Sequence, residues 1–262
     1  MNGRGGMRAS WDTYDHRVER LRAVSPVVHE LVLTPTRRPM PYRSGQYVML
    51  DVQQPWAPER AYSLADAPRR DGRVRLLVTR YPAGPTSGWV HDGMREGDQA
   101  SLTGPFGTMT LGARQEGPVL LLAAGSGLAP LEALAQTLVT EQPHRPVVLC
   151  FAGRTRADAL DGDRLEELAG AHWQLRYLCV LTREPDAPLH GRLPAMLGDL
   201  VGRLAGWEVF VAGREGFVRD CRAAALALGA APAMVRTEEF FADPAPRPAG
   251  RVLAQGVADG AA

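Results

Sequence analysis

The stretch LLLAAGSGLAPL, residues 120–131, decides the fold. An apolar run leads straight into Gly125-Ser126-Gly127, then Leu128-Ala129-Pro130, then a helix-patterned segment over 131–138. Glycine at such a turn lets the backbone approach a ligand closely. A helix start just beyond it offers N–H groups that lack intrahelical acceptors to an anion. The loop is therefore built like a pyrophosphate cradle. Working outward, strand and helix patterns alternate from Gly117 on. Strands are expected over 119–123, 147–151, 175–181 and 208–212, and helices over 131–140, 164–169, 193–200 and 216–228. This alternation predicts a parallel, doubly wound α/β sheet.

The chain upstream has a different rhythm. Short alternating segments over 15–23, 27–34, 47–52, 61–65, 74–79 and 99–103 read as strands separated by Pro- and Gly-rich turns. That spacing predicts an antiparallel β-barrel or sandwich, with one short helix over 89–94. The expected organisation is two-domain. An antiparallel barrel over 9–113 precedes an α/β domain over 117–241, and the Ala-, Pro- and Gly-rich residues 242–262 form a flexible tail. The residues up to Arg8 read as disordered.

Composition narrows the function classes. The 262 residues are 45% hydrophobic with a formal net charge of +1, and the arginines are scattered. No global field points to nucleic acid. Cys150, Cys179 and Cys221 lie far apart without metal-ligand spacing, and Cys150 and Cys179 sit in apolar runs that suit buried thiols. An iron–sulfur cluster takes about four cysteine ligands, more than the chain carries. The six histidines form no HxxH or HExxH pattern, so no metal site is expected, and no Gly-x-Ser-x-Gly elbow is present. No apolar run reaches the roughly 20 residues that span a bilayer, and MNGRGGMRAS lacks a signal-peptide core. The expected location is cytoplasmic, with no membrane partner.

Three further segments carry chemistry. In Arg60-Ala61-Tyr62-Ser63 the guanidinium can grip a phosphate with its planar fork. Tyr62 offers an aromatic face and Ser63 a hydroxyl. Strand alternation puts Arg60 and Tyr62 on one side and Ser63 on the other, so a ligand touching all three must wrap an edge or a strand end. The same residues would suit an ordinary edge strand. Gly84-Pro85-Thr86-Ser87 precedes a helix and is a second start suited to phosphate, or a simple cap. Gly104-Pro105-Phe106-Gly107 reads as a turn.

Taken in order, RAYS at 60–63, the glycine–serine loop at 84–87, GPFG at 104–107, AGSGLAP at 124–130 and EEFF at 238–241 resemble the ferredoxin–NADP reductase family of flavoproteins. The likeness is strongest to the reductase components of bacterial oxygenases. It covers 15–241, nearly the whole chain. The resemblance implies a barrel that holds flavin, FAD by the commoner family pattern with FMN as the alternative, and a second domain that binds NAD(P)H. It implies that Arg60 binds a flavin phosphate, that Tyr62 stacks on the isoalloxazine and that Ser63 lies near its N5. Thr79 and Arg80 would line the ribityl and phosphate region, and Gly84, Thr86 and Ser87 would hold the pyrophosphate. Gly125, Ser126, Gly127 and Pro130 would shape the nicotinamide nucleotide site. Glu238 and Phe240 or Phe241 would close the flavin from the C-terminal side. Tyr62, Ser63 and Glu238 form the expected catalytic set, and Ala61 and Gly213 complete the cofactor-binding one.

One position departs from the family pattern. Where relatives carry Cys-Gly-Pro, with the Cys beside the nicotinamide, this chain has Ala212-Gly213-Arg214. Arg154, Arg183 and Arg192 fall near the expected adenosine end. An Arg there could pair with the 2′-phosphate of NADPH or be a solvated loop residue, so NADH and NADPH both remain open. The implied activity carries a hydride from NAD(P)H to FAD and then electrons to a separate ferredoxin or oxygenase component. Reduction of free flavin or another small molecule, or a non-redox nucleotide-binding role, are the alternatives.

Overall fold

A computed structural model describes residues 11–112 and 116–240. Segments 1–10 and 242–262, where disorder and a flexible tail are expected, fall outside the described residues, as does Phe241.

The first unit is built from β1 (Thr13–Ser25), β2 (Val28–Pro35), β3 (Tyr47–Asp51), β4 (Arg60–Ser63), β5 (Val74–Thr79) and β6 (Gln99–Phe106). They form one antiparallel sheet in the order β4-β3-β6-β1-β2-β5. A bridge between Leu64 and Leu76 joins its two ends, so the sheet curls into a barrel. Period-2 burial explains the inside: Tyr14, His16 and Val18 of β1 point inward while their neighbours are exposed. Leu31, Leu33, Leu50, Leu76, Val78 and Leu102 fill the interior. Helix α1 (Pro85–Asp92) lies between β5 and β6.

The second unit contains β7 (Val119–Ala124), α2 (Leu128–Glu141), β8 (Val147–Gly153), α3 (Gly162–Ala171), β9 (Leu175–Leu181), α4 (Leu193–Val201), β10 (Glu208–Gly213), α5 (Glu215–Ala227) and β11 (Val235–Glu239). The strands are parallel in the order β11-β10-β7-β8-β9. Both sheet faces are covered, one by α2 and α3 and the other by α4 and α5. Central strands therefore read as unbroken apolar runs. The chain steps from β7 to β8 to β9 and then returns to the other side of β7 with β10. That reversal makes a switch point, and open α/β sheets leave a ligand crevice at the carboxyl ends of the strands there.

Four local expectations change. The GPFG segment is not merely a turn: Gly104–Phe106 continue β6, and Phe106 pairs with Tyr47. Helix α1 begins at Pro85 rather than 89, because proline suits the first helical position. Helix α2 begins at Leu128, since Pro130 stands in the first turn, where its missing N–H costs nothing. Strand β11 was not expected as a strand: VRTEE has little apolar content and sits at the sheet edge.

Candidate active site

A cavity of about 510 Å³ lies where the barrel meets the switch point. Its barrel wall is β4, from Arg60 to Ser63, with Tyr47, Leu77 and Thr79. The other unit supplies Ser126, Ala129, Glu238 and Phe240. Two hydrogen bonds hold the walls together. Ser63 Oγ donates to Glu238 Oε1 at 2.8 Å across 175 residues of sequence. Thr79 Oγ1 donates to Ser126 Oγ, also at 2.8 Å. Burial raises the Glu238 carboxyl above the usual carboxylate range, and the Ser63 hydrogen bond opposes that shift. A hydroxyl–carboxyl pair at the cavity wall can hold or pass a proton.

The Gly125 loop owes its shape to two glycines. Gly125 adopts φ +55°, a conformation L side chains rarely take. A Cβ on Gly127 would lie 2.3 Å from the Ala212 carbonyl oxygen. The helix start can therefore press against β10 only with glycine there. Ala212 itself is fully buried in the apolar layer under α2, paired with Ala123 and Glu238 on its flanking strands. It brings no thiol to the crevice.

Other expected site residues are distributed as follows. Tyr62 and Ala61 line the cavity, Tyr62 half-buried and Ala61 exposed. Arg80 does not line it: its guanidinium is bidentate on Asp92, at 2.5 and 2.7 Å, on the exposed surface. The hydroxyls of Thr86 and Ser87 point into protein. Thr86 donates to Pro58 O at 2.5 Å and Ser87 to Gly84 O at 3.2 Å. What the Gly84 loop presents is the start of α1 and its backbone N–H groups. Gly125, Gly127 and Pro130 form the turn behind Ser126 rather than the cavity wall. Gly213 ends β10, and its carbonyl accepts from Phe240 N at 2.8 Å.

Arg154 and Arg183 meet at the carboxyl ends of β8 and β9, where Arg183 N donates to Arg154 O at 2.8 Å. Asp158 holds Arg154 through two hydrogen bonds, at 3.1 and 2.8 Å, while Arg183 is exposed. Arg192 pairs with Asp220 on α5, at 3.2 Å. Cys150 and Cys221 are buried, but Cys179 is partly exposed on β9, at the edge of the sheet. Among the described residues no cluster of His, Cys, Asp or Glu could hold a metal.

Sequence reasoning missed Tyr47 and Leu77. Both follow from pairing rules once one site residue is known: Tyr47 lies opposite Ser63 in the β3–β4 register, and Leu77 shares a face of β5 with Thr79. Tyr47 also carries an aromatic run outward. Phe106 lies 5.5 Å from it, and exposed Trp11 meets Phe106 edge-on at 4.9 Å.

Comparison with known proteins decides the family. Residues 17–111 match the family described as "Oxidoreductase FAD-binding domain", and residues 121–223 match "Oxidoreductase NAD-binding domain". The solved structure of Amycolatopsis cytochrome P450 reductase GcoB superposes with a TM-score of 0.81 at 31% identity, over 89% of this chain and 72% of that one. The chain belongs to the ferredoxin–NADP reductase family. Among its relatives, the aromatic O-demethylase reductase subunit of Amycolatopsis sp. is 38% identical over 71% of this chain and 57% of its own length. The naphthalene 1,2-dioxygenase system ferredoxin–NAD(P)(+) reductase component of Pseudomonas putida is 29% identical over 78% and 62%. The chain thus matches about three fifths of the length of these relatives.

As a member of this family the protein has an FAD-binding stretch that contains most of the barrel, and an NAD-binding stretch from β7 into α5. Glu238 and Phe240, which close the cavity, lie beyond both matched stretches. The cavity suits a flavin. Its volume is within the roughly 300–1,000 Å³ of small-molecule sites. Its wall combines an arginine, tyrosine rings and hydroxyls.

Proposed function

We propose that this reductase-family chain moves electrons from NAD(P)H through bound FAD to a separate ferredoxin or oxygenase component. The proposal assigns residues 9–113 to the flavin and 117–241 to NAD(P)H. The observation that carries it is the shared cavity, with Ser63 of one unit hydrogen-bonded to Glu238 of the other. Donor and acceptor ligands held by two units must meet at such a seam. The names of the relatives, reductase components of an O-demethylase and of a dioxygenase system, support an oxygenase-type acceptor.

Bound FAD would supply two-electron acceptance from nicotinamide and one-electron release. Arg60 grips a flavin phosphate, Tyr62 packs its ring against the isoalloxazine, and the N–H groups at the start of α1 take the remaining phosphate charge. Ser63 keeps its hydroxyl proton directed at Glu238, and Phe240 excludes water from the same wall. The Gly125 loop and the start of α2 receive the NAD(P)H pyrophosphate, with Arg154 and Arg183 at its far end. Among the described residues no helix is long and apolar enough to cross a membrane. A cytoplasmic location goes with NAD(P)H as donor.

The test is an anaerobic visible spectrum of the purified protein, followed by NADH and NADPH in separate portions. Flavin bands that one coenzyme bleaches support the reading and name the donor. Flavin lost during purification would favour free flavin as a diffusible substrate. Bands that neither coenzyme bleaches would favour a non-redox nucleotide-binding role, for which the missing thiol at Ala212 is the motivating observation.

A further inference from the structure

Beside the cavity, β5 and α2 run along each other and form the seam between the two units. Thr79 bonds Ser126, Leu77 and Ala129 line the cavity together, and Arg75 ion-pairs with Glu132. Beyond them, Ala67 N donates to Gln136 Oε1 at 2.9 Å, and Ser44 Oγ bonds Thr137 Oγ1 at 2.6 Å. On the barrel side, residues 75, 77 and 79 share one face of β5. On the other side, residues 126, 129, 132 and 136 recur at three- and four-residue steps, which is one helix stripe.

Arg75 stands out in this ladder. It lies in the strand VRLLVT with a side chain only 2% exposed. A guanidinium has five N–H donors in a fixed fork, and Arg75 makes five hydrogen bonds. In the barrel they reach Ala65 O at 3.2 Å, Asp66 Oδ1 at 2.9 Å and Glu30 Oε2 at 3.2 Å. In the second unit they reach Asp161 Oδ2 at 2.5 Å and the Glu132 carboxylate. Arg164 reinforces the same carboxylates, at 2.7 Å from Asp66 and 3.1 Å from Glu132, and Arg22 lies 2.8 Å from Glu30. Asp161 reaches Arg75 from φ +49°, ψ +28°, a left-handed backbone rare for a residue with a side chain. Such strain persists where the surroundings over-determine it.

From this geometry we propose that Arg75 is a positioning residue, whose five-donor fork fixes the angle between the flavin unit and the nucleotide unit. The proposal rests on the reductase reading. Hydride transfer requires reacting atoms roughly 3–3.5 Å apart, and the two ligands are carried by different units. Charge alone would not set an angle, but five directed bonds to acceptors in both units do. Lysine keeps the charge but has three donors and no fork.

The test compares wild type, Arg75→Lys, Arg75→Met and Glu132→Gln as full-length, flavin-loaded protein. Rapid mixing gives the limiting rate of flavin bleaching by coenzyme and the half-saturating coenzyme concentration. Calorimetry follows unfolding of the same samples. In Arg75→Lys the limiting rate is expected to fall about tenfold or more. Flavin content and half-saturation should stay within about twofold of wild type, since each unit keeps its own ligand contacts. Wild type is expected to unfold in a single transition, and Arg75→Lys in two. Glu132→Gln should shift both readouts the same way by less, and carries the test with Arg75→Lys if Arg75→Met does not fold. A limiting rate within about twofold of wild type in Arg75→Lys overturns the proposal. So does a single transition that is merely lowered, which would make the cluster structural only. Failure of the reductase reading would be separate: wild type itself would not bleach with either coenzyme, while the split transition would still be observed.

Discussion

The two ends of the seam between β5 and α2 are built from opposite materials. At the cavity end the contacts are single hydrogen bonds, Thr79 to Ser126 and, next to it, Ser63 to Glu238, beside one glycine-dependent turn. At the far end one buried guanidinium meets four carboxylates. The cavity end keeps polar atoms within reach of a ligand. The charged end has no spare donor on Arg75, and its carboxylates are almost wholly buried. Rigidity is thus placed beside the site and adaptability within it, as expected where function uses the less constrained parts of a fold.

The sharpest way to break this contrast is to remove the centre of the charged end. Arg75→Met leaves Glu30, Asp66, Glu132 and Asp161 facing one another in a buried space. It should cost about 3–5 kcal/mol in chemical denaturation. A loss below about 1 kcal/mol, the scale of a surface pair, would mean that the ends do not differ. Gly127→Ala tests the cavity end. Its methyl would need space already taken by the Ala212 carbonyl, and backbone on both sides cannot yield cheaply. A loss of about 1–3 kcal/mol is expected, with weakened coenzyme binding in equilibrium titration. Ser63→Ala should cost about 1 kcal/mol and raise the Glu238 carboxyl further, because the hydrogen bond that lowers it is gone. The pH profile of flavin bleaching should then move to higher pH.

A pH titration of stability separates the groups of the charged end. Burial pushes Glu132 up to about 7, with Asp161 and Asp66 adding to the rise and Arg75 and Arg164 opposing it. An acid whose folded value is raised contributes stability at low pH and loses it as pH climbs through that value. Melting temperature should therefore decline between about pH 4.5 and about pH 7 and level off above that, and Glu132→Gln should flatten the decline. Arg75 and its neighbours hold Glu30 and Asp66 below the usual range, so their contribution is lost only as pH falls through those lowered values. The smallest effect belongs to Arg80→Gln. The exposed Arg80–Asp92 pair lies off the cavity wall, so melting temperature and flavin content should both be unchanged. A fall in flavin content would return Arg80 to the phosphate site.

Most of the fold was readable because period and spacing carry it. The alternation of strands and helices after Gly117 and the two-residue pattern of β1 survive in the structure. What escaped reading was decided by distant partners. Nothing in VRTEE marks a strand, because β11 gains its pairing from β10 and its burial from the barrel. Nothing in VRLLVT shows that Arg75 is buried; α2 and the turn before α3 bring their carboxylates to it. Thr86 and Ser87 carry the right hydroxyls for a phosphate, yet Pro58 O and Gly84 O claim them first. Local sequence shows which groups are available, and tertiary packing decides which of them remain free for a ligand.

The Ser63–Glu238 bond has a consequence for the order in which the protein is made. The barrel wall of the cavity is synthesised first, and 175 residues pass before its opposing carboxylate leaves the ribosome. Strand β11 also sits at the edge of its sheet and follows every other strand in sequence. A nascent chain that has both sheets otherwise in place still has a cavity open on one side. Under the proposed reading, flavin retention waits for β11, and a chain cut before Val235 should fold its barrel without being able to retain it.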